Sequence, residues 1–160
     1  MRIRNVLIAV AVLALAVPGM ASAGSRTDRA TGGGQILVST DGGAGSTIAF
    51  TAQGTPVAAK GQVQFIDRTA GTGQSQVKYH GIVECILVNG NTAEIAGHER
   101  GSATPFTLRV VDNGEGAGAN DMIFFDDVAD DRRCATDDND DEDATVALAR
   151  GNAQVYDSTP

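Results

Sequence analysis

The chain has 160 residues, with 20 acidic against 12 basic side chains, a formal net charge of −8 and no tryptophan. That balance argues against the broad basic face that nucleic acid or an anionic membrane would need. The length suits a single domain large enough to bury a real core.

The first element is a leader. Arg2 and Arg4 precede an uninterrupted apolar run, Val6 to Val17; Pro18-Gly19 ends it, and Ala21-Ser22-Ala23 supplies small residues for cleavage. This is the pattern of a secretory signal peptide over residues 1–23, helical in its apolar part, followed by one β-domain over 24–160. Twelve apolar residues reach only ~18 Å as a helix, short of the ~30 Å hydrocarbon core, so a membrane anchor is not expected. Loss of Arg2 and Arg4 with the leader moves the net charge from −8 to −10. The expected location is secreted, outside the cell and free of the membrane.

From there a period of two runs through the chain. Ile36 and Val38 alternate with polar neighbours, as do Ile48, Phe50 and Ala52, then Val63 and Phe65. Val77, Tyr79, Gly81, Val83, Cys85 and Leu87 read as one long face, followed by Ala93, Ile95 and Gly97, then Phe106, Leu108 and Val110. Met122 with Phe124, and Val146, Leu148, Ala153 and Val155, complete the series. Such alternation marks half-buried antiparallel strands. The connections are short and rich in Gly, Asn and Asp. In Val88 to Asn91, the pair Asn89-Gly90 predicts a two-residue type I′ hairpin, because both residues tolerate positive φ. Asp41 to Ser46, Arg68 to Gly73 and Asp112 to Asp121 read as turns or small loops. Strands joined this way form a meander of about eight or nine, expected to close into a β-barrel, with a folded-over sandwich as the alternative. A barrel of about eight strands holds either interdigitated side chains or one small ligand.

Several of these segments resemble a known family. Thr31 to Ile36 (TGGGQI), Lys60 to Asp67 (KGQVQFID), Val88 to Gly97 (VNGNTAEIAG) and Phe106 to Phe125 (FTLRVVDNGEGAGANDMIFF) are similar to a recurrent bacterial extracellular β-domain. That domain is related to the module called the post-COAP domain. That family's pattern runs G-N-x-A-x-I-x-G, then V-x-D-N-G-E-x-G, and Arg150 to Asp157 (RGNAQVYD) looks like its terminal strand. The resemblance spans nearly all of Thr31 to Asp157. It implies a β fold and an extracellular location, and no catalytic residues. The insert from Cys134 to Asp143 departs from the family's simplest pattern.

Cys85 and Cys134 are the only cysteines, and in an exported chain the expectation is that they pair. The other reading, a thiol nucleophile or metal ligand, needs a nearby base and a reducing compartment.

Most of the charge sits in one place. Residues 126–143 hold ten carboxylates against Arg132 and Arg133, and six of them fall between Asp137 and Asp143. Asp137, Asn139 and Asp141 match the first three ligand positions of an EF-hand. Glu142 then stands where the turn glycine belongs, and Leu148 where the bidentate Glu belongs. The EF-hand match fails. A different calcium site drawn from Asp137, Asn139, Asp141 and Asp143 is the one cofactor candidate, with Asp112 to Glu115 contributing if Asp121 and Asp126 fold back. The competing reading is a solvated connection extended by self-repulsion.

His80 and His98 are the only histidines. His80 falls on the less apolar face of its strand. His98 sits at a strand end beside Glu99 and Arg100, where a hairpin charge cluster accounts for it. Neither shows the ligand spacing of a zinc site, and no serine lies in a G-x-S-x-G elbow. The reading is therefore a secreted, non-enzymatic β-module acting as a binding or structural component with an extracellular partner or ligand. The alternatives are a small-ligand carrier, a calcium-binding extracellular protein, or a hydrolase or isomerase resting on His80, Glu84 or the aspartates.

If the acidic segment is only solvated, millimolar calcium will move the melting temperature no further than sodium chloride of matched ionic strength, because screening alone acts. A thermal melt in calcium, magnesium or matched sodium chloride checks this. A calcium-specific rise of several degrees that disappears in Asp137→Asn/Asp141→Asn would assign a site there.

Overall fold

A computed structural model describes residues 27–36, 45–68, 77–115, 120–126, 134 and 145–158. Residues 1–23, which read as a leader, Val38 and most of the acidic segment lie outside these residues. In chain order the strands are β1 (Asp28–Ile36), β2 (Ser46–Thr55), β3 (Ala58–Asp67), β4 (Val77–Asn89), β5 (Thr92–Glu99), β6 (Pro105–Val111), β7 (Met122–Asp126) and β8 (Val146–Tyr156). Each strand pairs antiparallel with its neighbour in sequence, and β8 returns to pair with β1. The result is a closed eight-stranded barrel. Closure removes the open edges that a meander would otherwise leave for aggregation.

Alternation decides which residues point inward. Ile48, Phe50 and Ala52 on β2, Val63 on β3, Ala93 and Ile95 on β5, and Phe106, Leu108 and Val110 on β6 are buried in one cluster to which every strand contributes. Four rings meet here, Tyr79 and Phe106 within the cluster and the half-buried Phe65 and Phe125 packed against it. Phe125 lies 5.0 Å from Phe65, 5.2 Å from Tyr79 and 6.1 Å from Phe106, and Tyr79 stands edge-on to Phe106 at 5.9 Å. These separations fall within the favourable range for tilted and T-shaped pairs.

The Phe106 ring fits because two strands give way beneath it. A Cβ added at Gly81 would come 2.6 Å from Phe106 Cε1, and one at Gly97 would come within 3.0 Å of the same atom. Gly97 is the cross-strand partner of Phe106 and also of Val83. The glycines that read as weak strand residues are therefore the floor of an aromatic site.

The structure corrects three details of the sequence reading. β4 does not present one continuous face: a bulge between Val83 and Cys85 shifts the register, so Ile86 and Val88 enter the core while Leu87 turns away. Cys85 and its partner Ala96 are buried but stand apart from the core cluster, on the outer side of the sheet. There Cys85 bonds to Cys134, with 5.9 Å between their Cα atoms across a separation of 49 residues. A loop of that size contributes about 4 kcal/mol on the chain-entropy model. On β7 the inward residues are Ile123 and Phe125, not Met122 and Phe124. That strand is apolar at four successive positions, so alternation cannot set its phase, and pairing with β6 does.

The third correction is the β4–β5 turn. Asn89 pairs with Thr92, so the two central residues are Gly90 and Asn91. Gly90 carries the positive φ, 61°, and its N–H donates to Asp157 Oδ2 at 3.1 Å. Nothing lies within 4 Å of a Cβ built there, so a side chain meets open space and the cost of replacement is purely backbone. Gly90→Val should lose about 1–2 kcal/mol in urea unfolding, the penalty for a Cβ in the left-handed region. An unchanged midpoint would show that the turn relaxes freely.

Candidate functional site

The carboxylates are the first candidates for chemistry or cation binding. β7 pairs with β8 at only two positions, Met122 with Ala147 and Ile123 with Val146. Beyond them β8 continues for nine more residues, to Tyr156. Two aspartates from the β6–β7 connection reach its backbone. Asp121 Oδ2 accepts from Ala153 N at 2.7 Å, and Asp112 Oδ2 accepts from Val155 N at 2.9 Å. Their other oxygens organise the connection itself: Asp121 Oδ1 accepts from Asn113 N, and Asp112 Oδ1 from Gly114 N, both at 2.9 Å. Asp121 is buried.

A third aspartate works at the same end. Asp28, also buried, accepts from Val88 N at 3.3 Å and from Ser158 N and Oγ at 3.1 and 2.7 Å. It ties β1 to the far end of β4 and to the segment that follows β8. Carboxylates that accept two or three backbone N–H bonds act here as substitutes for ladder carbonyls. The fold-back of Asp121 toward the Asp112–Glu115 turn does occur, and its oxygens are aimed at N–H donors. Sequence alone names Asp112 and Asp121 only as cation ligands. The signal that identifies them as clamps is their position next to the ends of two strands whose partner strand runs on past them.

The remaining candidates are dispersed. His80 Nε2 lies 3.2 Å from Gln62 Oε1 on β3. His98 Nδ1 approaches Glu84 Oε1 on β4 to 3.1 Å, an ion-pair distance without hydrogen-bond alignment. Glu99, the expected companion of His98, instead accepts from Ser102 Oγ at 2.9 Å. His80 and Glu84 thus belong to different pairs and do not converge. Among the described residues no group of three His, Cys, Asp or Glu is placed to hold a metal ion. Asp137, Asn139, Asp141 and Asp143 lie outside the described residues.

A continuous surface emerges from the strand register. The residues between the inward ones on β8, β1, β2, β3 and β4 fall into rows. Tyr156, Arg29, Gln53 and Lys60 form the row nearest the Asp28 end. Gln154, Thr31, Thr51, Gln62 and Ile82 form the next, followed by Asn152, Gly33, Ala49, Gln64 and His80. Arg150, Gln35, Thr47, Ile66 and Lys78 form the last. None of these positions carries a carboxylate, in a chain with 20 of them; the next outward residue of β4 beyond Ile82 is Glu84, which faces His98.

Side-chain length shapes this face. Small groups at Thr31, Gly33, Ala49 and Thr51 lie between long ones, leaving two adjoining depressions of 290 and 400 Å³ that share Thr31 and Thr51. Gln62 and Gln64 border the first; Arg29, Gln53 and Lys60 border the second. At the β8 margin Glu115 Oε1 accepts from Gln154 Nε2 at 2.9 Å and Asn152 Nδ2 at 3.3 Å. Glu115 thus covers the β8 margin, while the two depressions lie over β1 to β3. Such a face can donate and accept hydrogen bonds along an extended partner, but it brings together no nucleophile and base.

Comparison with known proteins adds no further constraint: no family model, no curated protein and no solved structure matches the chain.

Replacing Asp121 by Asn keeps the shape but turns an amide NH₂ toward one of two N–H donors. The expected loss is about 1–3 kcal/mol, the cost of leaving a buried donor without an acceptor. Denaturant melts of Asp121→Asn against the exposed control Asn120→Asp check this, and equal midpoints would show that the clamp contributes nothing.

Proposed function

We propose that this chain is a secreted, non-enzymatic β-barrel module that binds an extracellular partner through the outer face of β1, β2 and β3. The observation that carries the proposal is that face: amides and hydroxyls with Arg29 and Lys60 around two adjoining depressions, no carboxylate lining either, on an otherwise acidic molecule. Function placed on the outside also agrees with the inside, where four aromatic rings and aliphatic side chains from every strand pack into one cluster. The aspartates nearest to a constellation, Asp112 and Asp121, serve backbone N–H groups, which favours a binding role over hydrolysis. Export is supported by the leader-like residues 1–23 and by the Cys85–Cys134 disulfide, which suits an oxidising compartment.

Ala49 and Thr51 are both exposed on β2, so Ala49→Arg/Thr51→Trp fills the depressions without touching the core. Glu94→Gln, on β5, serves as the control; it alters the 3.0 Å ion pair with Arg109, away from this face. The mature protein is mixed with insoluble envelope and matrix material from the producing cells, and the sedimented fraction is measured. The double variant should lose most of its retention at an unchanged melting temperature, while Glu94→Gln keeps it. Equal retention of all three proteins would move the binding function away from this face.

A further inference from the structure

We infer that the occupant of this outer face is an extended polysaccharide bearing carboxylates, a polyuronate. The inference rests on the binding role proposed above and adds the ligand's chemistry.

Charge complementarity comes first. The face has Arg29 and Lys60 in its end row and Arg150 and Lys78 in the row at the other end, with only neutral side chains between. In a protein of net charge −8, these rows let an anionic polymer approach β1, β2 and β3 without meeting a carboxylate on those strands. Glu115 is held at the β8 margin by Asn152 and Gln154, and Glu84 at the β4 margin stands opposite His98.

The density of charge selects among polyanions. Arg29 and Lys60 are two strands apart, which is about 10 Å at ~4.8 Å per strand. Duplex DNA carries one charge per ~1.7 Å of axis and is held by many closely set cations. Single-stranded nucleic acid needs successive aromatic platforms. This face offers one exposed ring, Tyr156. Sparse cations separated by amides and hydroxyls suit a polymer in which each anionic group is accompanied by several hydroxyls. Gln64 presents both a donor and an acceptor; Gln53 keeps its Oε1 while its Nε2 donates to Thr27 Oγ1, Gln62 keeps its Nε2 while its Oε1 meets His80, and Thr31 and Thr51 add hydroxyl oxygens.

Shape agrees. The two depressions adjoin through Thr31 and Thr51 and stay open to solvent, so they accommodate a chain lying along β2, between β1 and β3, more readily than a molecule enclosed by them. Lys60 and Gln62 lie on one side of this line and Arg29 on the other.

The test uses the mature protein and three probes: polygalacturonate, its methyl ester, and dextran. The ester keeps the hydroxyls and caps the charge. Binding is followed by affinity electrophoresis and calorimetry. Polygalacturonate should bind, and the ester and dextran should bind at least tenfold more weakly. Raising ionic strength to about 1 M, where the Debye length is about 3 Å, should weaken polygalacturonate binding roughly tenfold. Arg29→Glu/Lys60→Glu should do the same at low salt, with Arg29→Gln/Lys60→Gln as the milder variant should the reversal impair folding. Ala49→Arg/Thr51→Trp should reduce binding of every probe. If the ester binds as tightly as polygalacturonate and the charge variants change nothing, yet the depression-filling variant still blocks, the polyuronate assignment fails and the binding face stands. If polygalacturonate binding survives the filled depressions, both fail. Absence of binding to all three probes overturns the assignment.

Discussion

The barrel depends on how β8 is held on its second side. One side pairs with β1 along most of its length; the other meets β7 at two positions only. A ladder that stops there would leave the N–H groups of Ala153 and Val155 without acceptors inside the wall. Buried backbone donors without partners cost about 1–3 kcal/mol each. Asp121 and Asp112 supply those acceptors from the β6–β7 connection. A carboxylate can do this where a backbone carbonyl cannot, because its oxygens reach out sideways from a loop and serve two donors at once. The Asp-Asn-Gly-Glu turn and the aspartate before β7 are therefore parts of the wall, made from side chains.

That seam and the interior constrain each other. Eight strands enclose a space that side chains of medium size fill only if the large ones are offset by very small ones. Phe106 is fully buried, and its ring lies where Gly81 and Gly97 leave no Cβ. Gly32 on β1 does the same for Phe50, whose Cζ would lie 2.9 Å from an added Cβ. Rings over glycines draw neighbouring strands close and give the sheet the curvature that closure requires. Closure then brings β8 alongside β1 and Asp28 within reach of Val88.

The architecture was legible in the sequence because alternation is local. Ile48, Phe50 and Ala52, or Phe106, Leu108 and Val110, reveal their face without knowledge of any neighbour, and the two lone cysteines reveal their bond. What was not legible depended on partners. The β4 bulge is invisible in a run where Val83, Cys85, Ile86, Leu87 and Val88 are all apolar; only pairing with β5 shows where the phase changes. A second irregularity, between Gln35 and Ile36 against β8, explains how Leu148 and Ala153, an odd number apart, both face inward. The aspartate clamps are harder still. Asp28 and Ser158 are 130 positions apart, and nothing in either neighbourhood announces the other. The outer face was in principle readable as the complement of the apolar alternation, and its character lies in what is missing from it.

That absence has a physical logic. A closed barrel turns one face of its sheet outward all the way round, so an acidic protein with carboxylates spread evenly over it would repel any anion from every direction. Here the acids of the described strands and turns gather elsewhere. Some cap the β8 end, as Asp28, Asp112 and Asp121 do; others stand on β4 and β5, where Glu84 faces His98 and Glu94 faces Arg109. At an ionic strength near physiological, fields from exposed charges decay within about 8 Å. An approaching polymer therefore senses its nearest rows and not the net charge of the molecule. On β1 to β3 those rows are Thr, Gln, Ala and Gly bounded by Arg29 and Lys60. Folding sets this pattern directly: the register that places Phe50 and Val63 inside also places Thr51 and Gln62 side by side outside.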